Sequence, residues 1–379
     1  MLNAKEISDL FIANYGQKNC IITSAPGRVN IIGEHTDYNS GFVLPMPIEN
    51  RVWIAASARK DGIFRIKSVD YNEDCSFSVT DLKFNKKHRW VNYVMGIISA
   101  LKAKGYIING VDMLIRGDVP QGAGLSSSAA LEVAVAKVFN SIYDLRLSPF
   151  DIAYLGKMAE NNFIGVKSGI MDQFSASIGE LGKALLIDCR NNESRSLDLP
   201  PGSAFVAVHT GIYRKLDSSI YNERVNQCKK GIDIINQTNT AITSLRDLTP
   251  RLLKQYRGKM PDIIFRRCQH VVTENIRVLE AVEAIKSCDI KLLGKLMYDS
   301  HRSLRDDYNV SCEELDILVE ISRKTSYVFG ARLTGAGFGG CTINLLPIDR
   351  TNSFKEIVMT EYKKETSLDA QFYPVYVSR

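Results

Sequence analysis

The sequence predicts an α+β protein with two lobes. Three observations carry this: strand-like and helix-like patterns interleave along the chain, its 379 residues suit about two to three domains, and a polar, turn-rich stretch interrupts the middle. Residues 51–58 and 63–69 are short β-leaning runs, and Val111, Met113 and Ile115 alternate with Asp112, Leu114 and Arg116 as in a half-buried strand. Leu131, Val135, Val138 and Ile142 then recur at helical spacing, laying one apolar stripe on a helix that runs to about Tyr143. In Ser148-Pro149-Phe150-Asp151, Ser148 is the expected N-cap of a second helix, Pro149 its first residue and Asp151 the return partner of the cap. Ile152, Leu155, Met158 and Ala159 should face inward. The polar stretch from Asn191 to Pro201 marks the expected division into lobes 1–200 and 201–379. Helical patterns over 217–235, 262–284 and 312–323 follow, and a strand, loop and strand close the series from about 327 to 347.

Composition narrows the function. With 45% hydrophobic and 24% charged residues, the chain reads as an ordinary globular protein rather than a disordered one. Its net charge of +6 is scattered rather than gathered into a basic tract, so nucleic acid is not an expected partner. The richest apolar run, Ala129 to Phe139, contains Glu132 and Lys137, and no run reaches the 18 or so residues of a membrane span. The first residues, Met1 to Glu6, lack the apolar core of a secretory signal, so export is not expected. The eight cysteines show no CxxC and no clustering with histidine, which argues for free thiols in a reducing cytoplasm. No repeat or low-complexity segment is present.

Three segments carry chemistry. The first, Pro120-Gln121-Gly122-Ala123-Gly124-Leu125-Ser126-Ser127-Ser128-Ala129, lies between the expected strand and helix. Its glycines allow close backbone approach, and the helix N-terminus behind them offers N–H groups to an anion. It is neither a Walker A loop nor a dinucleotide fingerprint, because no Gly-Lys-Ser/Thr follows and Ser127 stands where the third glycine belongs. The serines can cap the helix, bind phosphate oxygens or ligate Mg²⁺. The second, Arg28-Val29-Asn30-Ile31-Ile32-Gly33-Glu34-His35-Thr36-Asp37-Tyr38, crowds donors and acceptors into a loop as a hydroxyl-rich ligand such as a sugar requires. Metal binding by Glu34, His35 and Asp37 is the rival, without a recognised ligand spacing. The third, Arg332-Leu333-Thr334-Gly335-Ala336-Gly337-Phe338-Gly339-Gly340-Cys341, fits GxGxxG formally. However, Thr342 to Leu346 continues as a strand, leaving a glycine-rich hairpin that is either a tight turn or a loop closing over phosphate.

Together with Gly169-Ile170-Met171-Asp172-Gln173-Phe174, these segments resemble the GHMP superfamily of sugar and metabolite kinases, and Gly27 to Asn39 is closely similar to the galactokinase motif. The resemblance continues through His270 to Asn275, Leu304 to Tyr308 and the last glycine loop, so it covers essentially the whole chain. It implies the two-lobed GHMP kinase fold, with an N-terminal lobe like ribosomal protein S5 domain 2, a ferredoxin-like C-terminal lobe and an active site in the cleft between them. It further implies ATP-dependent phosphorylation of the C1 hydroxyl of D-galactose, the first committed step of galactose catabolism, by a cytoplasmic monomer that needs Mg²⁺.

Position by position, the resemblance places Arg28, Glu34, His35, Asp37, Gly169, Asp172 and Tyr221 at galactose. It places Gly122, Ala123, Gly124, Leu125, Ser126, Ser127 and Ser128 at the ATP phosphates, Trp90 and Tyr93 near the adenine, and Ser128 and Glu160 on Mg²⁺. Asp172 is the expected acceptor, or at least orienter, of the C1 hydroxyl proton, with Arg28 as its counter-charge. The chain departs from the usual galactokinase pattern at Val166-Lys167-Ser168 and at His209-Thr210-Gly211-Ile212-Tyr213. A kinase for a related substrate such as N-acetylgalactosamine, or a non-catalytic sensor of galactose and ATP, are the alternatives; the intact Ser126-Ser127-Ser128-Ala129 run favours catalysis.

Overall fold

The structure is a computed structural model that describes residues 2–212 and 218–377; Tyr213 lies outside the described residues. In chain order the elements are α1 (Ala4–Tyr15), β1 (Ile21–Ile32), β2 (Phe42–Ala58), β3 (Ile63–Ser68), β4 (Glu73–Ser78), α2 (Val91–Ala103), β5 (Val111–Gly117), α3 (Ser127–Tyr143), α4 (Pro149–Met158) and α5 (Met171–Ile178). They continue as β6 (Lys183–Asp188), β7 (Glu193–Asp198), β8 (Ser203–His209), α6 (Ser218–Asn236), α7 (Pro250–Lys254), α8 (Asp262–Lys286) and α9 (Ile290–Ser303). The last are α10 (Glu313–Lys324), β9 (Gly330–Thr334), β10 (Cys341–Pro347), α11 (Thr351–Thr366) and β11 (Gln371–Val377). Among the described residues, no helix is long and apolar enough to cross a membrane.

The chain forms two compact units that alternate in sequence. One holds Met1–Arg28, Ile48–Gln121 and Ser126–Ile178; the other holds Val29–Pro47, Gly122–Leu125 and Gly179–Arg379. In the first unit, β4 pairs antiparallel with β3, β3 parallel with β5, and β5 antiparallel with Val52–Ala58 of β2. Ile7 and Phe11 of α1 pack on Ala55 and Leu114 of this sheet, and Phe139 of α3 meets Phe64 edge-on with ring centroids 6.2 Å apart. The alternation in 111–116 suggests a half-buried strand, but Val111 to Ile115 are buried throughout because helices supply apolar partners to both faces. Asp112 therefore lies in the interior, where Arg59, Arg65 and Gln17 all donate to its carboxylate.

The α4 start follows the local chemistry read from sequence. Ser148 Oγ accepts from the Asp151 N–H at 3.2 Å, and Asp151 Oδ2 accepts from the Ser148 N–H at 3.0 Å, a reciprocal cap. Ile152, Leu155 and Ala159 are buried and Met158 half-buried.

In the second unit an antiparallel sheet runs β11-β8-β10-β9. Val206 and Val208 of β8 and Leu346 of β10 pack against Leu318 of α10 and Phe354, Val358 and Tyr362 of α11. Another cluster gathers Cys228 of α6, Phe265, Cys268 and Val271 of α8, Tyr308 and Leu333. The polar stretch 191–201 holds the turn between β6 and β7 together with β7, and the last crossing from one unit to the other falls between Ile178 and Gly179.

Candidate active site

Arg28 sits on β1 and Asp172 in the first turn of α5, both in the first unit. The arginine grips the carboxylate with two parallel bonds, Nε to Oδ1 and Nη2 to Oδ2, each 2.8 Å. This fork-to-fork contact fixes the carboxylate plane as well as its position. Ser126 Oγ adds a third bond, donating to Oδ2 at 2.5 Å. It can do so because Ser126 takes a left-handed backbone, φ 59°, immediately before α3, and its side chain makes no cap bond to the helix. Arg28 is 5% exposed and Asp172 30%, so the acid alone retains a face for a ligand.

Two further acids lie beside this pair. Gln173, next to Asp172, donates from Nε2 to Glu132 Oε2 at 2.9 Å, while Glu132 Oε1 and Gln173 Oε1 are buried without donors. Glu160 lies in a π-helical turn, Ala159–Ile164, and accepts from Ser168 Oγ, so the unusual Val166-Lys167-Ser168 stretch supplies a partner to this acid. Burial pushes the Glu160 carboxyl up to about 7; the Ser168 hydroxyl opposes that, and the charge of Asp172 adds to it. Burial likewise raises Glu132 well above the usual carboxylate range, with Glu160 adding to the effect. Three acids in one field, one with an undonated buried oxygen, suit a cation. No group of three His, Cys, Asp or Glu side chains forms a ready metal cage among the described residues.

The other first-unit residues expected at the nucleotide, and Gly169, expected at the sugar, take these places. Trp90 precedes α2, donates from Nε1 to Glu73 at 2.6 Å and stacks on Tyr71 at 6.3 Å with the rings 10° apart. Tyr93 is half-buried on α2, with its phenol raised by burial first and then by Glu160 and Glu132. Gly169 is buried just before α5, and Ser127 and Ser128 open α3 half-buried.

In the second unit, Glu34 is 1% exposed and its carboxylate is enclosed by protein groups: Asn30 Nδ2 and the Gly335 N–H donate to it, and Arg332 lies 3.4 Å away. Arg332, fully buried, also donates to the carbonyls of Asn30 and Ile31 at 3.0 and 3.2 Å. The loop Gly335–Gly340 joins antiparallel β9 and β10, with Thr334 opposite Cys341, which makes it the expected hairpin. A Cβ on Gly337 would stand 2.0 Å from the Val310 carbonyl, so backbone packing demands glycine there.

His35 lies among aromatic rings: Tyr308 at 4.7 Å, Tyr221 at 5.8 Å and Tyr38 at 5.9 Å between centroids. The fold thus brings Tyr221 and His35 together although 186 positions separate them in sequence. Asp37 opens a short 3-10 turn, Asp37–Asn39, and is half-buried.

Beneath this loop, His270 on α8 meets the Glu34 carbonyl through Nε2 at 3.1 Å. Burial lowers its pKa from 6.5 to about 4, against the pull of Glu274. Burial also works against the charge on Glu274, yet Arg277, His270 and Arg332 hold that carboxyl at about 2 instead of 4.5. In both cases the unfolded chain binds the proton first as pH falls. Stability is therefore expected to drop between pH 6.5 and 4 through His270, and again from 4.5 toward 2 through Glu274. Urea midpoints measured across this range should fall with pH, and His270→Gln should flatten the upper part of the curve.

Several neighbours of the expected residues escaped sequence reasoning. Glu132 did leave a signal, an acid inside the most apolar helical run, while Arg332 and Tyr308 were read only as parts of motifs.

Comparison with known proteins agrees with this architecture. Residues 92–180 match the GHMP kinases N terminal domain and residues 281–351 the GHMP kinases C terminal domain. A Methanococcus jannaschii mevalonate kinase structure, 22% identical, superposes with a TM-score of 0.67 over 95% of this chain and 99% of that one, which shows the fold. The molecule thus has the GHMP kinase fold. Residues 9–58 match the galactokinase galactose-binding signature. A galactokinase from a Roseiflexus species is 42% identical over 98% of this chain and 95% of its own length. The crystal structure of Lactococcus lactis galactokinase complexed with galactose is 34% identical, with a TM-score of 0.95 over 99% of this chain and 98% of that one. The chain belongs to the galactokinase family.

Proposed function

We propose that this ATP-dependent sugar kinase transfers the γ-phosphoryl group of ATP to the C1 hydroxyl of D-galactose, releasing galactose 1-phosphate and ADP. The observation that carries the reading is the half-exposed Asp172 carboxylate, clamped by Arg28 and Ser126, in a chain that matches the galactose-binding signature. A carboxylate with one fixed orientation and one open face can accept or orient the proton of an attacking hydroxyl. Phosphoryl transfer otherwise asks mainly for alignment and for charge aimed at the γ-phosphoryl oxygens.

The other roles follow the family positions. Glu34, His35, Asp37, Gly169 and Tyr221 hold the sugar, and acceptor carboxylates discriminate a misplaced hydroxyl because it leaves them unpaired. Glu34 also engages Arg332 and Gly335, so the same side chain fixes the loop that presents His35 and Asp37. Gly122 to Ser128 receive the ATP phosphates, where positive φ at Gly122 and Gly124 turns the backbone ahead of the α3 N-terminus. Trp90 and Tyr93 are assigned to the adenine end. Ser128 and Glu160 are the residues that would hold Mg²⁺, in keeping with the uncompensated acids around Glu160; when bound, the ion supplies positive charge to the phosphates. No disulfide joins the eight cysteines among the described residues, which is in keeping with a cytoplasmic setting.

A coupled ADP-release assay with galactose, glucose and N-acetylgalactosamine tests the reading. Release dependent on galactose and strongest with it is expected. A faster reaction with N-acetylgalactosamine, or no galactose-dependent release, would replace this reading with one of the alternatives.

A further inference from the structure

The loop expected at the sugar returns to β2 through Ser40, Gly41 and Phe42, and two side chains from distant parts of the second unit hold this return limb. Asn275 of α8, 6% exposed, accepts the Phe42 N–H at Oδ1 over 2.8 Å and donates from Nδ2 to the Val271 carbonyl at 2.9 Å. These partners fix the amide orientation, because a backbone N–H only donates and a carbonyl only accepts. Arg246, in the 3-10 turn Leu245–Asp247, donates from Nη1 to the Ser40 carbonyl at 3.2 Å. Its guanidinium also forks onto Asp188, the β6 residue opposite Phe42, and lies 3.8 Å from the centre of the Phe42 ring.

The limb needs such support. Ser40 is in the left-handed region, φ 56°, a conformation that a serine keeps only where its surroundings impose it. A Cβ on Gly41 would stand 2.4 Å from Asn275 Oδ1 and 2.7 Å from Thr36 Cβ, so the backbone there is pressed between α8 and Thr36. The hold is then passed on. The Gly41 N–H donates to the Thr36 carbonyl at 2.8 Å, and Thr36 Oγ1 donates to the Phe42 carbonyl at 2.6 Å. Thr36 is fully buried and stands between His35 and Asp37 in the chain, so whatever fixes Gly41 and Phe42 also fixes the backbone from which those two side chains project.

We propose that Asn275 and Arg246 are positioning residues for the sugar: they hold the return limb and, through Thr36, set where His35 and Asp37 stand before galactose arrives. The inference rests on the reading of His35 and Asp37 as sugar-binding residues. A loop already held in its binding shape need not be ordered by the ligand, so the benefit appears as affinity rather than turnover.

The test compares variants of the full-length protein. Asn275→Ala and Arg246→Met should each raise KM for galactose about tenfold, with kcat and KM for ATP within about twofold of wild type, and should speed amide exchange over residues 33–42 of the sugar-free protein. Asn275→Asp keeps an acceptor for the Phe42 N–H but loses the bond to Val271. It should hold KM for galactose within about threefold of wild type, although its buried charge lowers Tm at least as far as alanine does. Val358→Ala, a core truncation on α11, should lower Tm and leave KM unchanged. A purely structural role would make KM follow Tm across the whole set. An unchanged KM for galactose in either Asn275→Ala or Arg246→Met, a loss carried by kcat instead, or an aspartate variant as impaired as the alanine one would overturn the proposal. Asp37→Ala tests the underlying reading: an unchanged galactose KM there removes the sugar role of the loop and the proposal with it. A raised KM in Asp37→Ala beside normal values in Asn275→Ala and Arg246→Met removes the proposal alone.

Discussion

Replacing Asp172 by asparagine is expected to lower kcat by about 10² to 10⁴-fold while leaving galactose affinity within a few-fold of wild type. Asparagine is close in shape and keeps one oxygen, which can take the place of Oδ2 and accept from both Arg28 Nη2 and the Ser126 hydroxyl. What it loses is the second acceptor oxygen and the capacity to take a proton from a hydroxyl. Because Arg28 is 5% exposed, part of the effect will appear as lower stability, so turnover must be read on folded protein, with sugar binding measured by calorimetry. Near-normal turnover would remove Asp172 from the proton path. A large loss of binding with preserved turnover would make it a sugar ligand only.

Arg332→Met is expected to cost about 3–5 kcal/mol, the penalty of leaving a buried charge without its partner. For a chain of this length, that corresponds to a fall in Tm of roughly 4–6 °C. The substitution preserves most of the volume, so the loss is one of polar contacts: Glu34, 1% exposed, loses the guanidinium 3.4 Å away, and the carbonyls of Asn30 and Ile31 lose their Arg332 donor. Combining it with Glu34→Gln should recover much of the loss, since both charges then leave the interior together. A thermal-denaturation cycle over the two single variants and the double variant measures this coupling. Strictly additive effects would show that the two side chains do not depend on one another.

The features legible in the sequence are those written in neighbouring residues. The reciprocal cap at Ser148 and Asp151, the glycine hairpin between β9 and β10, and the α3 helix behind the serine run all follow from short-range chemistry. Prolines hid other elements: Pro45 and Pro47 mask the first half of β2, and Pro374 masks β11, because proline ordinarily argues against a strand. The α11 helix was readable in principle, since Phe354, Val358 and Tyr362 recur every fourth residue and are all buried.

Contacts made by distant segments were beyond local reading. Ser126 reaches Asp172 across 46 positions, and Tyr308 reaches Tyr38 across 270. No periodicity encodes such pairs. Family resemblance supplied the residues proposed to touch substrates, whereas the contacts that Glu132, Arg332 and Cys228 make behind them required coordinates.

Ser126 places two demands on one residue. Its left-handed backbone is a conformation that glycine would occupy with less strain, yet its hydroxyl, with Arg28, holds the Asp172 carboxylate. Laboratory evolution for heat tolerance alone would therefore drift toward glycine at this codon, and evolution for flux would drive it back. Serine marks a compromise between an easy chain and a working enzyme.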